Sequence, residues 1–280
     1  MVKADCHIHA ILDGVDWKQA IARHKAKPDK VFLHNMLSTY RQQGYTYLRD
    51  GGDRWGAGLM ARQMALDYGI VYRTPGPPLC QKGHYGSFIG CTYENLQEYA
   101  ALVTDARKKG YDFIKIMISG LMDFDRFGVL TEPPLEKDHI RQLIHIAHQE
   151  GMAVMAHANG EAALAAAEAG VDSVEHGAYL HRETLYAMKE AKTVWVPTLS
   201  TIGNLRGKGR FNEAAVNNIL HSALENVRFF AGIGGLVAPG TDAGAWSVPH
   251  GSETELPLLH QAGITEEQLQ QGIAAVIEKF

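Results

Sequence analysis

The sequence predicts one (β/α)8 barrel, the TIM-barrel fold, that spans residues 1–280 as a single domain. Short apolar runs alternate eight times with longer helical stretches, which is typical of parallel strands joined by right-handed crossovers. Several helices end in glycine just before the next strand, as helix-to-strand turns prefer. A length of 280 residues also fits a single barrel.

The predicted strands are short runs bounded by turn residues. They lie at residues 2–9, 45–49, 70–74, 112–119, 153–157, 172–176, 193–198 and 235–240. Helices are predicted at residues 15–27, 30–43, 54–68, 93–109, 135–150, 161–169, 182–191, 212–231, 254–262 and 266–278. Residues 75–92 are rich in proline and glycine and are predicted to be a long loop, a kind of segment that often carries function.

A doubly wound sheet is the alternative that the same alternation allows. Its fingerprint is a GxGxxG turn after the first strand. Here the glycine run GGDRWGAG follows the second strand and has a different spacing. No GxxxxGKS or GxxxxGKT phosphate loop is present either, so the barrel is the favoured fold.

The composition is that of an ordinary globular protein, with 46% hydrophobic and 21% charged residues. A formal net charge of -4 without a basic tail disfavours nucleic acids and membrane surfaces as partners. No apolar run approaches the roughly 20 residues of a transmembrane helix and no secretory leader is recognisable, so we expect a cytoplasmic protein. Three cysteines without a CxxC pair argue against a disulfide framework or a thiolate zinc site.

Metal-binding side chains are concentrated where the predicted strands end. His7 and His9 lie one residue apart at the end of the first strand, so their side chains point to the same face. His157 and His176 end the fifth and sixth strands, and Asp242 follows the eighth. The C-terminal ends of barrel strands meet at one mouth, where barrel active sites lie. Imidazole and carboxylate groups suit zinc and similar divalent ions, so the pattern predicts a metal site.

Lys115 lies within the fourth strand between two isoleucines, a setting that is costly for an ammonium ion. Two interpretations stay open. In the first, the lysine pairs with a carboxylate at the barrel mouth. In the second, its amine has reacted with carbon dioxide to give a carbamate, an anion that can bridge two divalent metal ions.

Two loops near the predicted mouth supply candidate substrate contacts. His84 and Tyr85 belong to the loop at residues 75–92, and His84 is either a substrate contact or an ordinary loop histidine. Arg206, Lys208 and Arg210 form a basic loop after the seventh strand. This loop either receives the carboxylate of a small-molecule substrate or is simply solvated.

These residues and their flanking motifs resemble the amidohydrolase superfamily. The matching motifs are HIH, FIKIM, MAHANG, VEHG and GTDAG, and the similarity runs over essentially the whole chain. Further stretches are most similar to the imidazolonepropionase-like branch, which includes metal-dependent Xaa-Pro and Xaa-Arg dipeptidases, the prolidases. These stretches are GYTYLRDGG, KGHYGSF, IKIMISG, EAGVDSVEHG and WVPTLS.

The resemblance implies a binuclear metal centre, most simply with two zinc ions. The implied metal ligands are His7, His9, Lys115, His157, His176 and Asp242. The two histidines of the first strand would bind the first ion with Asp242, and the other two histidines would bind the second. Lys115, as an N6-carboxylated side chain, would bridge the two ions together with a hydroxide.

The same resemblance implies the chemistry. Asp242 would take the proton from the metal-bound hydroxide as it attacks a carbonyl, and His84 would add a hydrogen bond to the developing oxyanion. We therefore expect a metal-dependent hydrolase that cleaves an amide or peptide-like C–N bond of a small substrate, with dipeptides among the candidates. The alternatives are a lactonase, esterase or deaminase that uses the same site, and a metal-binding protein without catalysis.

One departure from the superfamily pattern concerns a flanking domain. Typical relatives carry a small β-sandwich segment before the HxH strand and return to it after the barrel. This sequence starts at the HxH strand, so we expect a barrel that lacks the flanking β-sandwich. The surface left uncovered raises the expectation of a homo-oligomer.

Overall fold

Ten parallel strands form the centre of the molecule, and the computed structural model describes all residues, 1–280. In chain order the strands are β1 Ala4–Ile8, β2 Tyr47–Asp50, β3 Val71–Arg73, β4 Leu79–Gln81, β5 Cys91–Tyr93, β6 Ile114–Met117, β7 Val154–Ala158, β8 Ser173–His176, β9 Val194–Val196 and β10 Leu236–Val237. They form one sheet of order β1-β2-β3 and a second of order β10-β9-β8-β7-β6-β4-β5.

Backbone hydrogen bonds join the two sheets into a closed ring. Beyond β10, the Asp242 N–H donates to the His7 carbonyl at 2.7 Å, and the His9 N–H donates to the Ala243 carbonyl at 2.7 Å. On the other side, the Asp112 N–H donates to the Thr74 carbonyl at 3.0 Å, which links the end of β3 with the start of β6. A closed ring of parallel strands with helices between them is the barrel that the sequence predicts, so the fold prediction is confirmed.

The expectation of an unstructured loop at residues 75–92 is wrong in part, because this segment contains β4 and β5. β4 pairs with β6, with Leu79 opposite Ile116, and β5 pairs with β4. β3 pairs with β2, so β3 and β4 share the third position of the ring. The prolines between β3 and β4 lack N–H donors, which explains why the ladder is interrupted there.

Helices cover the outside of the ring, and most are a few residues shorter than predicted. They are α1 Trp17–His24, α2 Lys30–Gln42, α3 Ala57–Ala65, α4 Leu96–Lys108, α5 Lys137–Gln149, α6 Glu161–Glu168, α7 Arg182–Glu190, α8 Ser200–Gly203, α9 Glu213–Gly232, α10 Glu255–Gln261 and α11 Glu266–Lys279. A 3-10 turn at Leu66–Tyr68 follows α3. The short helix α8 directly precedes the basic loop that carries Arg206, Lys208 and Arg210.

The helix starts follow from side-chain capping. Asp16 accepts hydrogen bonds from the first-turn N–H groups of α1, and Asp29 does the same for α2. Thr265 and Gln268 form a reciprocal capping box at the start of α11. None of the helices combines the length and the apolar character that crossing a lipid bilayer requires.

Most of the apolar core lies between the strands β6–β9 and the helices that cover them, in a cluster of 46 buried residues. A separate cluster of 11 residues packs α11 beneath the ring. The helix approaches β10 closely at Gly272, where an added Cβ would overlap the Val237 carbonyl. This packing of helices against the strands keeps the C-terminal strand ends together at one mouth of the barrel.

Candidate metal centre

Three side chains from the two chain segments that close the ring converge at the mouth. His7 and His9 come from β1 and the residue that follows it, and Asp242 follows β10. His9 Nε2 lies 3.2 Å from Asp242 Oδ1, and His7 Nε2 lies 3.6 Å from the same oxygen. Each of the three residues offers one ligand atom, and these atoms lie within 4.8 Å of one another. This is a separation that one divalent ion can span.

Two further histidines complete a cluster of rings. The ring centroids of His157 and His176 are 4.5 Å apart, and those of His7 and His176 are 5.1 Å apart. His176 adopts a φ of 68°, which departs from strand geometry and turns its side chain towards the cluster. His176 Nδ1 is hydrogen bonded to Thr198 Oγ1 at 2.7 Å, which fixes the orientation of the ring and leaves Nε2 for a ligand.

Lys115 lies beneath these rings on β6. Its side chain is 1% exposed, and its Nζ has no hydrogen-bond partner. Burial lowers the pKa of the Lys115 amine to about 8, although Glu175 acts in the opposite direction. The positive charge of the amine also helps to lower the pKa values of His7 and His157. Burying an amine without a hydrogen-bond or ionic partner costs free energy of folding unless another group binds to it.

The polar atoms of this cluster fit a divalent metal ion, because several of them lack a partner within the protein. Eleven buried side-chain atoms have no hydrogen-bond partner, and four of them belong to residues of the cluster: His7 Nε2, His9 Nδ1, Lys115 Nζ and Asp242 Oδ1. Native proteins seldom leave so many buried polar atoms unpaired within one cluster. Imidazole nitrogens and a carboxylate oxygen are the ligands that zinc and related ions accept.

The ionisation states of these groups are also those of metal ligands. Burial lowers the pKa of His7 to about 4 and that of His157 to about 3, so both imidazoles are neutral at neutral pH. Burial alone would raise the pKa of Asp242, but the neighbouring histidines and Lys115 outweigh it and hold that pKa below its ordinary value. Neutral imidazoles and an ionised carboxylate are the forms that bind metal.

A buried ion pair that the sequence analysis missed supports the cluster from below. Glu175 Oε2 lies 2.7 Å from His7 Nδ1, and Glu175 Oε1 lies 2.8 Å from the Arg49 guanidinium. Ser173 donates to the same carboxylate at 2.5 Å. Although burial raises it, the pKa of Glu175 falls to about 2, chiefly because of Arg49 and His7. The signal available in the sequence was a charged residue inside each of two predicted barrel strands, at positions 49 and 175.

A cavity of about 420 Å³ opens above the cluster. Most of its lining is apolar or aromatic, and it includes the predicted substrate contacts Tyr85 and Arg210. The Tyr85 ring lies 4.9 Å from the ring of His157. His84 does not line the cavity; its Nδ1 lies 3.3 Å from a Glu132 carboxylate oxygen, and its role stays a prediction. Arg206 and Lys208 are exposed and also lie outside the lining.

Comparison with known proteins identifies the family. The family model described as "Amidohydrolase family" matches residues 4–272. The chain belongs to the amidohydrolase family. The matched residues include all six predicted metal ligands, from His7 to Asp242. This amidohydrolase is thus an enzyme that hydrolyses C–N bonds.

Individual relatives are distant. An uncharacterized protein of Mycobacterium tuberculosis is 27% identical over 278 residues, which cover 96% of this chain and 70% of the relative. Ochratoxinase of Aspergillus niger is 25% identical over 273 residues, and the matched part is 85% of this chain but only 56% of ochratoxinase. The crystal structure of a Xaa-Pro dipeptidase with bound methionine superposes with a TM-score of 0.79 and 21% identity, covering 99% of this chain and 75% of that one. The last comparison supports the fold.

Proposed function

We propose that this amidohydrolase is a metal-dependent enzyme that cleaves an amide or peptide-like C–N bond of a small substrate, and that residues 1–280 act as one domain. The observation that carries the proposal is the cluster of four buried, unpaired polar atoms at the barrel mouth. These atoms lie at the base of a cavity large enough for a small molecule. The dipeptidase and ochratoxinase likenesses support an amide substrate.

In this proposal the centre would hold two divalent ions, with zinc as the first candidate. His7, His9 and Asp242 would hold one ion, and their proximity supports this grouping. His157 and His176 would hold the other. Lys115, as an N6-carboxylated side chain, would contribute to both, which would give its buried, partnerless nitrogen a role. This role of Lys115 is testable, because the fraction of carboxylated lysine rises when bicarbonate is added and falls when it is removed.

The chain's own residues account for the proton movements. When bound, the divalent ions would lower the pKa of a water molecule and polarise the substrate carbonyl. Asp242 accepts the proton from the attacking water as the new C–O bond forms, and its lowered pKa keeps the carboxylate ready to do so. The same carboxyl then gives that proton to the leaving nitrogen as the C–N bond breaks. The products are a carboxylic acid and an amine.

Substrate contacts are proposed for the residues that line the cavity. Tyr85 lies beside His157 and Arg210 lies on the exposed basic loop, so both face a bound substrate. A contribution from His84, Arg206 or Lys208 would require these loops to move towards the cavity. A homo-oligomeric state and a cytoplasmic location stay predictions.

The test is a metal-depletion and variant experiment. We expect chelation to abolish hydrolysis of N-acyl amino acids and dipeptides, and zinc to restore it. Asp242→Asn should lower kcat by at least about a hundredfold, since proton transfer by a positioned group contributes roughly 10²–10⁴ to rates. Asp67→Asn, at an exposed position on the outside, is the matched control and should keep wild-type turnover.

Two results would contradict the proposal. The first is an Asp242→Asn variant that binds metal and keeps full turnover. The second is a metal-loaded enzyme that hydrolyses lactones or other esters but no amide, which would favour the alternative reaction on the same site.

A further inference from the structure

We propose that the substrates are amides that combine a large aromatic group with a carboxylate, and that small or basic dipeptides are poor substrates. This inference rests on the proposed function and concerns the cavity above the metal centre. It follows from two independent properties of the cavity wall, its aromatic rings and its charge.

The aromatic rings come from five chain segments that follow five different strands. Trp17, after β1, meets Phe88, after β4, with ring centroids 5.5 Å apart. Phe211, after β9, lies 5.3 Å from Phe124, after β6, and 6.0 Å from Trp246, after β10. All five rings line the cavity. Trp17 is 48% exposed and Trp246 is 38% exposed, so part of each ring remains accessible to a ligand, although Arg210 lies over the Trp246 ring.

A small substrate would not use this wall. The hydrophobic effect rewards a ligand in proportion to the apolar surface that it covers, and offset or edge-on ring contacts add to it. The side chains of a dipeptide of alanine would leave most of the rings in water. A large, flat aromatic group that enters the 420 Å³ cavity would cover more of them.

The charge of the wall is one-sided. Outside the metal-centre residues Lys115 and Asp242, Arg210 is the only ionised side chain that lines the cavity. Its guanidinium lies 4.1 Å from the Trp246 ring centroid and 5.3 Å from that of Phe211. It is not among the arginines that form an ion pair with a carboxylate of this chain.

An arginine held against aromatic rings and free of an internal partner is suited to a planar carboxylate. A basic substrate would meet the opposite situation, because the lining has no glutamate and its single aspartate belongs to the metal centre. An ammonium or guanidinium group would therefore enter without a partner, which is costly. The two properties together select an aromatic, anionic amide.

The experiment compares four amides on the metal-loaded enzyme. They are N-naphthoyl-phenylalanine, its C-terminal carboxamide, alanyl-alanine and alanyl-arginine. We expect the aromatic acid to have the highest kcat/KM. Arg210→Gln should raise KM for this acid about tenfold, because hydrogen bonds to charged groups are among the strongest, and should leave KM for the carboxamide nearly unchanged. Arg182→Gln is the matched control, since Arg182 also lies over an aromatic ring, that of Phe229, but outside the cavity.

A second variant tests the aromatic wall. Phe211→Leu should raise KM for both aromatic amides and leave that for alanyl-alanine unchanged, whereas Phe229→Leu, outside the cavity, should change none of them. If alanyl-alanine or alanyl-arginine is the better substrate, or if Arg210→Gln affects acid and carboxamide equally, the substrate inference is overturned while the proposed function stands. If no amide is hydrolysed, the proposed function itself fails.

Discussion

His7 and Glu175, which are 168 residues apart in the chain, meet at 2.7 Å through His7 Nδ1 and Glu175 Oε2. Both side chains are fully buried. A proton on Nδ1 satisfies the carboxylate and leaves Nε2, which faces Asp242, as the free nitrogen of the ring. The contact thus selects the tautomer that can bind a metal through Nε2, and Arg49 holds the carboxylate in place from its other side.

Removing the Glu175 charge should weaken metal binding. We expect Glu175→Gln to lower zinc affinity by roughly 10–100-fold, the usual effect of losing a partner that orients a metal-binding histidine. It should also cost about 3 kcal/mol of stability or more, since Arg49 would be left as an unpaired buried charge. Competition with a zinc chelator measures the affinity, and circular dichroism confirms that the variant is folded. Glu190→Gln, on the exposed face of α7, is the control. An unchanged zinc affinity in a folded Glu175→Gln protein would show that the contact does not orient His7.

Gly51 sets the position of the second histidine of the first strand. An added Cβ at this residue would overlap the His9 ring, so Gly51→Ala should displace that ring and lower both zinc affinity and turnover. The backbone of Gly51 does not have a positive φ, so the effect reports the contact and not backbone strain. Gly232→Ala, in a helix with open space around the new methyl group, should leave both quantities unchanged. A crystal structure of Gly51→Ala that shows His9 in its original place and zinc at full occupancy would contradict the expectation.

Glu255 should make the stability depend on pH in a defined direction. It is 2% exposed and accepts hydrogen bonds from the Ser200 N–H and hydroxyl, both at 2.7 Å, and burial raises its pKa to about 8 from an ordinary 4.5. Between these two values the folded state keeps a proton that the unfolded state releases. The contribution of Glu255 is therefore complete below about pH 4.5 and is lost as the pH rises through about 8, at no more than about 1.4 kcal/mol per pH unit.

Urea unfolding across this range measures the effect. The stability of the wild type relative to Glu255→Gln should fall as the pH rises from 4.5 to 8. The exposed neighbour provides the control, and Glu253→Gln should show the wild-type pH profile. Parallel profiles for wild type and Glu255→Gln would mean that the buried carboxyl titrates at its ordinary pKa.

The contact between α11 and β10 should be sensitive to a single methyl group. An added Cβ at Gly272 would overlap the Val237 carbonyl, so Gly272→Ala must push the helix away from the ring. Overpacking of this kind costs about 1–3 kcal/mol, which a thermal or urea unfolding curve resolves. A Gly272→Ala protein as stable as Gly232→Ala would indicate that α11 moves without cost.

The barrel and the principal site residues followed from short-range patterns. Alternation along β1 places His7 and His9 on one face, and parallel strands bring their C-terminal ends to one mouth, so His157, His176 and Asp242 could be assigned to the same place. These are properties of local periodicity and of chain order. They need no knowledge of which side chains touch.

The sequence by itself determined the fold class, the order of the strands along the chain and the side chains that gather at the mouth. Only the tertiary structure decided that β4 shares a ring position with β3, that Glu175 and Arg49 support His7, and that Tyr85 and Arg210, but not His84, line the cavity. The physical reason is the same in each case. These contacts join residues that are far apart in the chain or depend on the path of an irregular loop, and neither a period of 2 nor one of 3.6 residues encodes such contacts.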